Sequence, residues 1–210
     1  MTPFGRIIGA LLLAPLGTNG VQGQSRPTPL TPGEGRVAVP GGQIWYRVVG
    51  TGRGTPLVLV HGCCGAASYY LDPLADLGRD RPVVFYDQLG TGRSDLTTDT
   101  MVWAPERRVG ELHLLLQSLG LTAFHLYGHS GGTRIALEYY LAHPEGVRSV
   151  IFGGPVFADS LLFRQMAALR ATLPDSVQRA LARYEREGRC DTPEYEAAID
   201  VFRKRFHDRR

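Results

Sequence analysis

The segment Gly128-His129-Ser130-Gly131-Gly132 puts a serine hydroxyl midway between two glycines. A serine hydroxyl is a weak nucleophile until a base takes its proton, and it must also stand clear of its own chain. A sharp turn from a strand into a helix meets the second need. Such a turn requires glycine two residues to either side, here Gly128 and Gly132, because a Cβ there would meet neighbouring backbone. The amides at the start of the following helix then face any negative charge that develops nearby. The chemistry indicated is acyl transfer through a serine ester on Ser130. The plainer alternative is a glycine-rich strand-to-helix turn of the kind found throughout α/β proteins.

The elements around this segment supply the required context. Leu57-Val58-Leu59-Val60, preceded by Pro56, is a continuous apolar run, as expected of a strand buried on both faces. A helix is predicted around Tyr69 to Leu77, and a second buried strand over Pro82 to Tyr86. Val109, Leu112, Leu116 and Leu119 mark one face of a helix that Gly120 ends. Ala123 to Tyr127 then reads as a strand, Thr133 to Ala142 as a helix closed by Pro144, and Val147 to Phe152 as a strand. Upstream, Val37–Val39 and Ile44–Val49 flank Pro40-Gly41-Gly42 and read as a hairpin. The alternation predicts an α/β fold with a largely parallel sheet. After Pro155 three amphipathic helices follow, over Leu161 to Leu173, Asp175 to Glu187 and Glu194 to Phe206. Asp191 and Glu194 have capping-box spacing, and Pro174 and Pro193 suit first turns.

Two more stretches bear on the chemistry. His61-Gly62-Cys63-Cys64-Gly65 follows the first buried strand, where a fold of this kind places the other half of an oxyanion hole. Tyr86-Asp87-Gln88-Leu89-Gly90-Thr91-Gly92-Arg93-Ser94 follows the second. With these in place the chain resembles the proline iminopeptidase (prolyl aminopeptidase) family of α/β-hydrolases from about Pro56 onward. That family carries His-Gly-Gly-Pro-Gly, Tyr-Asp-Gln-x-Gly-x-Gly-x-Ser and Gly-x-Ser-Trp-Gly-Gly stretches at these spacings. The second is complete here. The first departs at Cys63 and Cys64, and the third has Gly131 in place of tryptophan.

The resemblance implies Ser130 as nucleophile and the amides of Cys63 and Gly131 as the oxyanion hole. It also implies a helical lid that restricts access to the chain end, and lid carboxylates that grip the substrate's free amine. Glu185, Glu187, Glu194 and Glu196 are available for that grip, with none singled out. It further implies a structural aspartate at Asp87 and a His129 side chain turned away from Ser130. A side chain at Cys63 lines the hole, and loss of the indole at position 131 alters the pocket for the N-terminal residue.

In this fold the triad acid and base follow the nucleophile on loops after later strands. None of the six histidines falls at such a place: His61, His125 and His129 belong to strands or the elbow, His113 and His143 to core helices, and His207 to the last lid helix. Asp159 is a candidate acid only in the variant of the fold that places it early. The sequence reads as C-terminally truncated, its last strands missing, and hence nearly inert. Val147 to Phe152 is left as an apolar edge.

Composition narrows the rest. A formal charge of +3 on 210 residues, with basic and acidic residues interspersed, disfavours nucleic-acid binding. Arg6 and the apolar run Ile7 to Leu16 read as a signal peptide. Val21-Gln22-Gly23 permits cleavage before Gln24, giving a secreted or periplasmic protein with no membrane span after signal removal. Three cysteines, two of them adjacent, make neither a disulfide framework nor a zinc site, and Cys190 is expected to be at least half-buried. No metal and no cofactor is expected. The organisation is then a signal over 1–23, a leader over 24–35, the hydrolase core over 36–157 and an incomplete lid over 158–210. The expected function is release of N-terminal residues, proline by resemblance, from short peptides with a free N-terminus through an acyl-enzyme. An esterase, lipase or amidase of the same fold is one alternative, and a non-catalytic truncated pseudoenzyme is the other.

Overall fold

The computed structural model describes residues 30–62 and 66–207. The signal reading, the first half of the leader, and Cys63, Cys64 and Gly65 therefore lie outside the described residues.

Strands β1 (Gly33–Val39), β2 (Gly42–Val49), β3 (Leu57–Val60), β4 (Val83–Tyr86), β5 (Phe124–His129) and β6 (Val147–Gly153) form one sheet in the order β1-β2-β4-β3-β5-β6. The hairpin β1–β2 and the β2–β4 pair are antiparallel; β4–β3, β3–β5 and β5–β6 are parallel. The parallel centre is joined by crossovers through a 3-10 segment (Ser68–Arg79), helix α1 (Pro105–Ser118) and helix α2 (Gly132–Ala142).

The continuous apolar runs behave as expected. Val58 and Val60 of β3, with Val84 and Tyr86 of β4, pack into the larger core beside Leu112, Leu116 and Ala136 of α1 and α2. Leu57, Leu59, Val83 and Phe85 face the other way, onto Leu71 of the 3-10 segment. The lid, α3 (Asp159–Arg170), α4 (Asp175–Arg186) and α5 (Pro193–Phe206), has a small core of its own around Leu173, Leu181, Ile199 and Phe202. No helix among the described residues is long and apolar enough to cross a membrane.

Some boundaries differ from the sequence reading for physical reasons. β1 begins at Gly33, inside the expected leader, because its ladder reaches Gly33 opposite Val48; main-chain pairing does not need apolar side chains on an edge strand. The predicted helix at Tyr69 to Leu77 is a 3-10 segment containing Pro73, which lacks the N–H an α-helical ladder would use. The cap of α5 is Thr192, whose hydroxyl accepts from Tyr195 N, and not Asp191: Pro193 occupies the first helical position, which shifts the cap by one. Cys190 is exposed, since the turn between α4 and α5 carries no apolar face. β6 is the sheet edge among the described residues, and its Ile151 and Phe152 are exposed there at 45% and 38%.

Candidate active site

The elbow lies between β5 and α2. Ser130 has φ +51°, the one positive value outside glycine among the described residues. A side-chain-bearing residue in this left-handed region costs roughly 1–2 kcal/mol, so surrounding contacts must hold it there. Ser130 N–H donates to Gly153 O at the end of β6 (2.8 Å), and Ser130 O accepts from Thr133 N (3.0 Å).

The flanking glycines are required by sterics. A Cβ on Gly128 would stand 2.5 Å from Gly132 O, and one on Gly132 would stand 2.3 Å from Val60 O and 2.5 Å from His61 O. The turn is thus pressed onto the end of β3. Thr133 completes the clamp: fully buried, its hydroxyl donates to Ser130 O (2.6 Å) and accepts from Val156 N (2.9 Å). Sequence reasoning passed over Thr133, because its second partner lies 23 residues away and no local pattern announces it.

The loop after β3 closes against the elbow. A Cβ on Gly62 would lie 3.2 Å from Ser130 Cβ and 3.4 Å from His129 O. His61 is buried, with Nε2 accepting from Gln88 N (3.1 Å) while Nδ1 faces Gly62 O (2.7 Å). That pattern needs the proton on Nδ1, and burial lowers the imidazole's pKa and so keeps the ring neutral. Gly131 forms the N-cap of α2, so its amide lies at the positive end of the helix. Cys63, the other oxyanion donor implied by resemblance, is outside the described residues.

Asp87 is 3% exposed and holds loops. Its Oδ1 accepts from the amide and hydroxyl of Ser68 (2.8 and 2.7 Å), and its Oδ2 accepts from Arg93 N (2.8 Å). This matches the structural role expected of it. Gly92, with φ +53°, has no room for a side chain, since a Cβ would fall 2.2 Å from Asp87 Oδ2. A second buried carboxylate secures the same loop: Glu111 Oε2 accepts from Leu89 N and from Arg108 Nη1 (both 3.1 Å), and Arg108 donates to Leu89 O (2.8 Å). Burial raises the Glu111 pKa, and the adjacent Arg108 opposes that rise.

No histidine among the described residues hydrogen-bonds the Ser130 hydroxyl. His129, as expected, is engaged elsewhere: its Nδ1 lies 2.9 Å from the Tyr70 hydroxyl. Asp159 has a 65% exposed side chain 3.5 Å from Arg134, so it serves as a surface ion-pair partner. Of the four lid glutamates, three are already paired. Glu185 receives two bonds from Arg170 (2.7 and 2.9 Å), which hold its carboxyl below the usual range; Glu187 pairs with Arg183, and Glu196 with Arg203. Glu194 has no ion pair among the described residues. A cleft of about 900 Å³ opens at the opposite end of the strands, beside Pro56, Pro82 and Ala123, and so is remote from Ser130.

Residues 55–207 match the family model described as the alpha/beta hydrolase fold. The proline iminopeptidase of Heyndrickxia coagulans is 41% identical over 177 residues, covering 84% of this chain and 62% of that protein. The proline iminopeptidase of Levilactobacillus brevis is 38% identical over 165 residues, covering 76% and 55%. Among solved structures, VinJ superposes with a TM-score of 0.78 at 32% identity, over 83% of this chain and 62% of its own. The proline iminopeptidase of Mycobacterium smegmatis gives 0.73 at 29%, over 82% and 60%. The chain thus spans less than two thirds of the length of these relatives. The match over most of its length, the mixed sheet and the turn at Ser130 agree, and the chain belongs to the α/β-hydrolase fold family.

Proposed function

We propose that Ser130 is the nucleophile of a serine hydrolase that releases an N-terminal residue, proline foremost, from short peptides. The observation that carries this reading is the left-handed Ser130 held between two glycines that admit no side chain, at the start of a helix. Backbone strain of this kind is retained where a hydroxyl must be presented. Similarity to proline iminopeptidases at 34–41% identity supports the substrate class.

In the proposed reaction Ser130 Oγ attacks the carbonyl carbon of the first residue while a base takes its proton. The amides of Gly131 and Cys63 receive the oxyanion, and the departing amine takes up the proton. Water then cleaves the resulting ester and frees the amino acid and Ser130. None of the described histidines reaches Ser130 to act as that base. Loss of the base costs on the order of a million-fold in turnover, so the 210-residue chain on its own is expected to be nearly inert. We also propose export directed by the Ile7 to Leu16 run, which an N-terminal residue at Gln24 in the mature protein would support.

Gly131, which leaves the pocket without the family's indole, favours an esterase as a second reading. Turnover of a prolyl arylamide against a short-chain aryl ester, with Ser130→Ala as blank and the intact mass of protein from the native source, tests both. Ser130-dependent arylamide turnover with a mass well above 23.0 kDa supports the aminopeptidase reading. Ester turnover alone favours the second reading, and activity unchanged by Ser130→Ala sinks both.

A further inference from the structure

Two segments meet at Ser130: the elbow, and the loop that leaves β3 through Gly62. Gly62's missing side chain eases their approach, because a Cβ there would stand 3.2 Å from Ser130 Cβ and 3.3 Å from the Tyr70 hydroxyl, and these neighbours would have to give by a few tenths of an ångström. The Tyr70 oxygen accepts from Gly62 N–H at 2.7 Å and lies 2.9 Å from His129 Nδ1. The Tyr70 and His129 rings also meet edge to face, with centroids 5.2 Å apart. One hydroxyl, carried on a third element, is therefore bonded to the residue preceding Ser130 and to the glycine preceding Cys63.

The directions of these bonds follow from donor and acceptor capacity. Gly62 N–H can only donate, so the phenol oxygen accepts there; toward His129 Nδ1 the hydroxyl donates or accepts according to the imidazole tautomer. Burial, and next the charge of His207, lower the His129 pKa, which favours the neutral ring.

We infer that Tyr70 is a positioning residue that ties the loop after β3 to the nucleophile elbow, through Gly62 N–H on one side and His129 Nδ1 on the other. It thereby sets the separation between Ser130 and Gly62, which the proposed Cys63 donor follows in the chain. The inference rests on the proposed role of Ser130 and goes beyond it by adding a residue that touches neither substrate nor hydroxyl. An error of about 1 Å in such a separation costs on the order of a hundred-fold in rate, so the clasp has leverage on the chemistry.

The test uses the 210-residue chain and two readouts. The first is amide hydrogen exchange at Gly62, with the imidazole nitrogen shifts of His129, in the unaltered chain, Tyr70→Phe, His129→Leu and His129→Asn. The second is phosphonylation of Ser130 by an aryl fluorophosphonate, read by mass with Ser130→Ala as blank. The His129 nitrogen shifts are expected to move in Tyr70→Phe, which removes the hydroxyl 2.9 Å from Nδ1. In Tyr70→Phe the Gly62 amide exchanges at least tenfold faster, and the maximal phosphonylation rate falls roughly ten- to a hundred-fold at unchanged probe affinity. His129→Asn, whose side-chain oxygen can stand near the former Nδ1, recovers part of the rate that His129→Leu loses.

Unchanged Gly62 exchange in Tyr70→Phe, or His129 nitrogen shifts that do not move in that variant, overturns the clasp. So does a phosphonylation rate within twofold of the unaltered chain. If the unaltered chain itself is not labelled at Ser130, as a chain whose described histidines supply no base would behave, the exchange and nitrogen-shift measurements decide the clasp by themselves, and the hydrolase reading is decided separately by Ser130-dependent turnover of protein from the native source.

Discussion

Glycine-to-alanine exchange at two positions should change stability in opposite directions. At Gly132 the added methyl would sit 2.3 Å from Val60 O and 2.5 Å from His61 O, well inside the 3.0 Å that real Cβ atoms essentially never breach. Both obstacles are main chain at the end of a fully buried strand, so neither can swing aside. Overpacking of this kind costs about 3 kcal/mol. At Gly110, in the middle of α1 with nothing within 4 Å, the same methyl meets open space. There alanine removes the entropic penalty of a helical glycine and should add about 0.5–1 kcal/mol. The two variants then differ by roughly 4 kcal/mol, which at about 2 kcal/mol per molar urea separates their midpoints by about 2 M. Urea unfolding followed by far-ultraviolet circular dichroism, with the unaltered chain between the two, measures the separation. A Gly132→Ala midpoint within about 0.3 M of the unaltered chain would refute the claim that the elbow is pressed onto β3 without slack.

Three further outcomes follow from the same geometry. Ser130→Gly should be about 1 kcal/mol more stable than Ser130→Ala, because only glycine relieves the left-handed backbone; equal melting temperatures would argue against stored strain. Asp87→Asn should cost about 2–3 kcal/mol, because one side-chain position turns from acceptor to donor opposite Arg93 N or the Ser68 donors, and denaturant titration reads the loss. His61, His125 and His129 all have lowered pKa values in the folded chain, chiefly through burial. The unfolded chain binds these protons first, so stability is fully present above about pH 6.5 and declines as pH falls from there toward the folded-state pKa values. A melting temperature that rises on acidification from pH 7 to 5.5 would contradict this.

Much of the fold was legible in local pattern. Leu57–Val60 and Val83–Tyr86 are apolar at every position, which only a strand covered on both faces tolerates, and both cores use them in that way. The segment around Ser130 was legible because its glycines answer a steric demand that repeats wherever a strand turns sharply into a helix. Asp87 was legible through the complete stretch Tyr86 to Ser94, although its partners at Ser68 and Arg93 were not. The miss at Cys190 shows the limit of residue type as a guide to burial, because a thiol in a turn has no face to follow inward.

What the sequence determined by itself is therefore short-range: the order of strands and helices, the turn at Ser130 and the glycines it needs. Tertiary structure decided which polar groups meet. Tyr70 and His129 stand 59 residues apart, and Thr133 and Val156 stand 23 apart. Which lid glutamates remain unpaired was settled by arginines such as Arg170, 15 residues from Glu185. A backbone period constrains which side of an element a residue occupies. The partner on that side depends on how the elements cross, and hydrogen bonds with strict donor and acceptor geometry form only after that crossing is set.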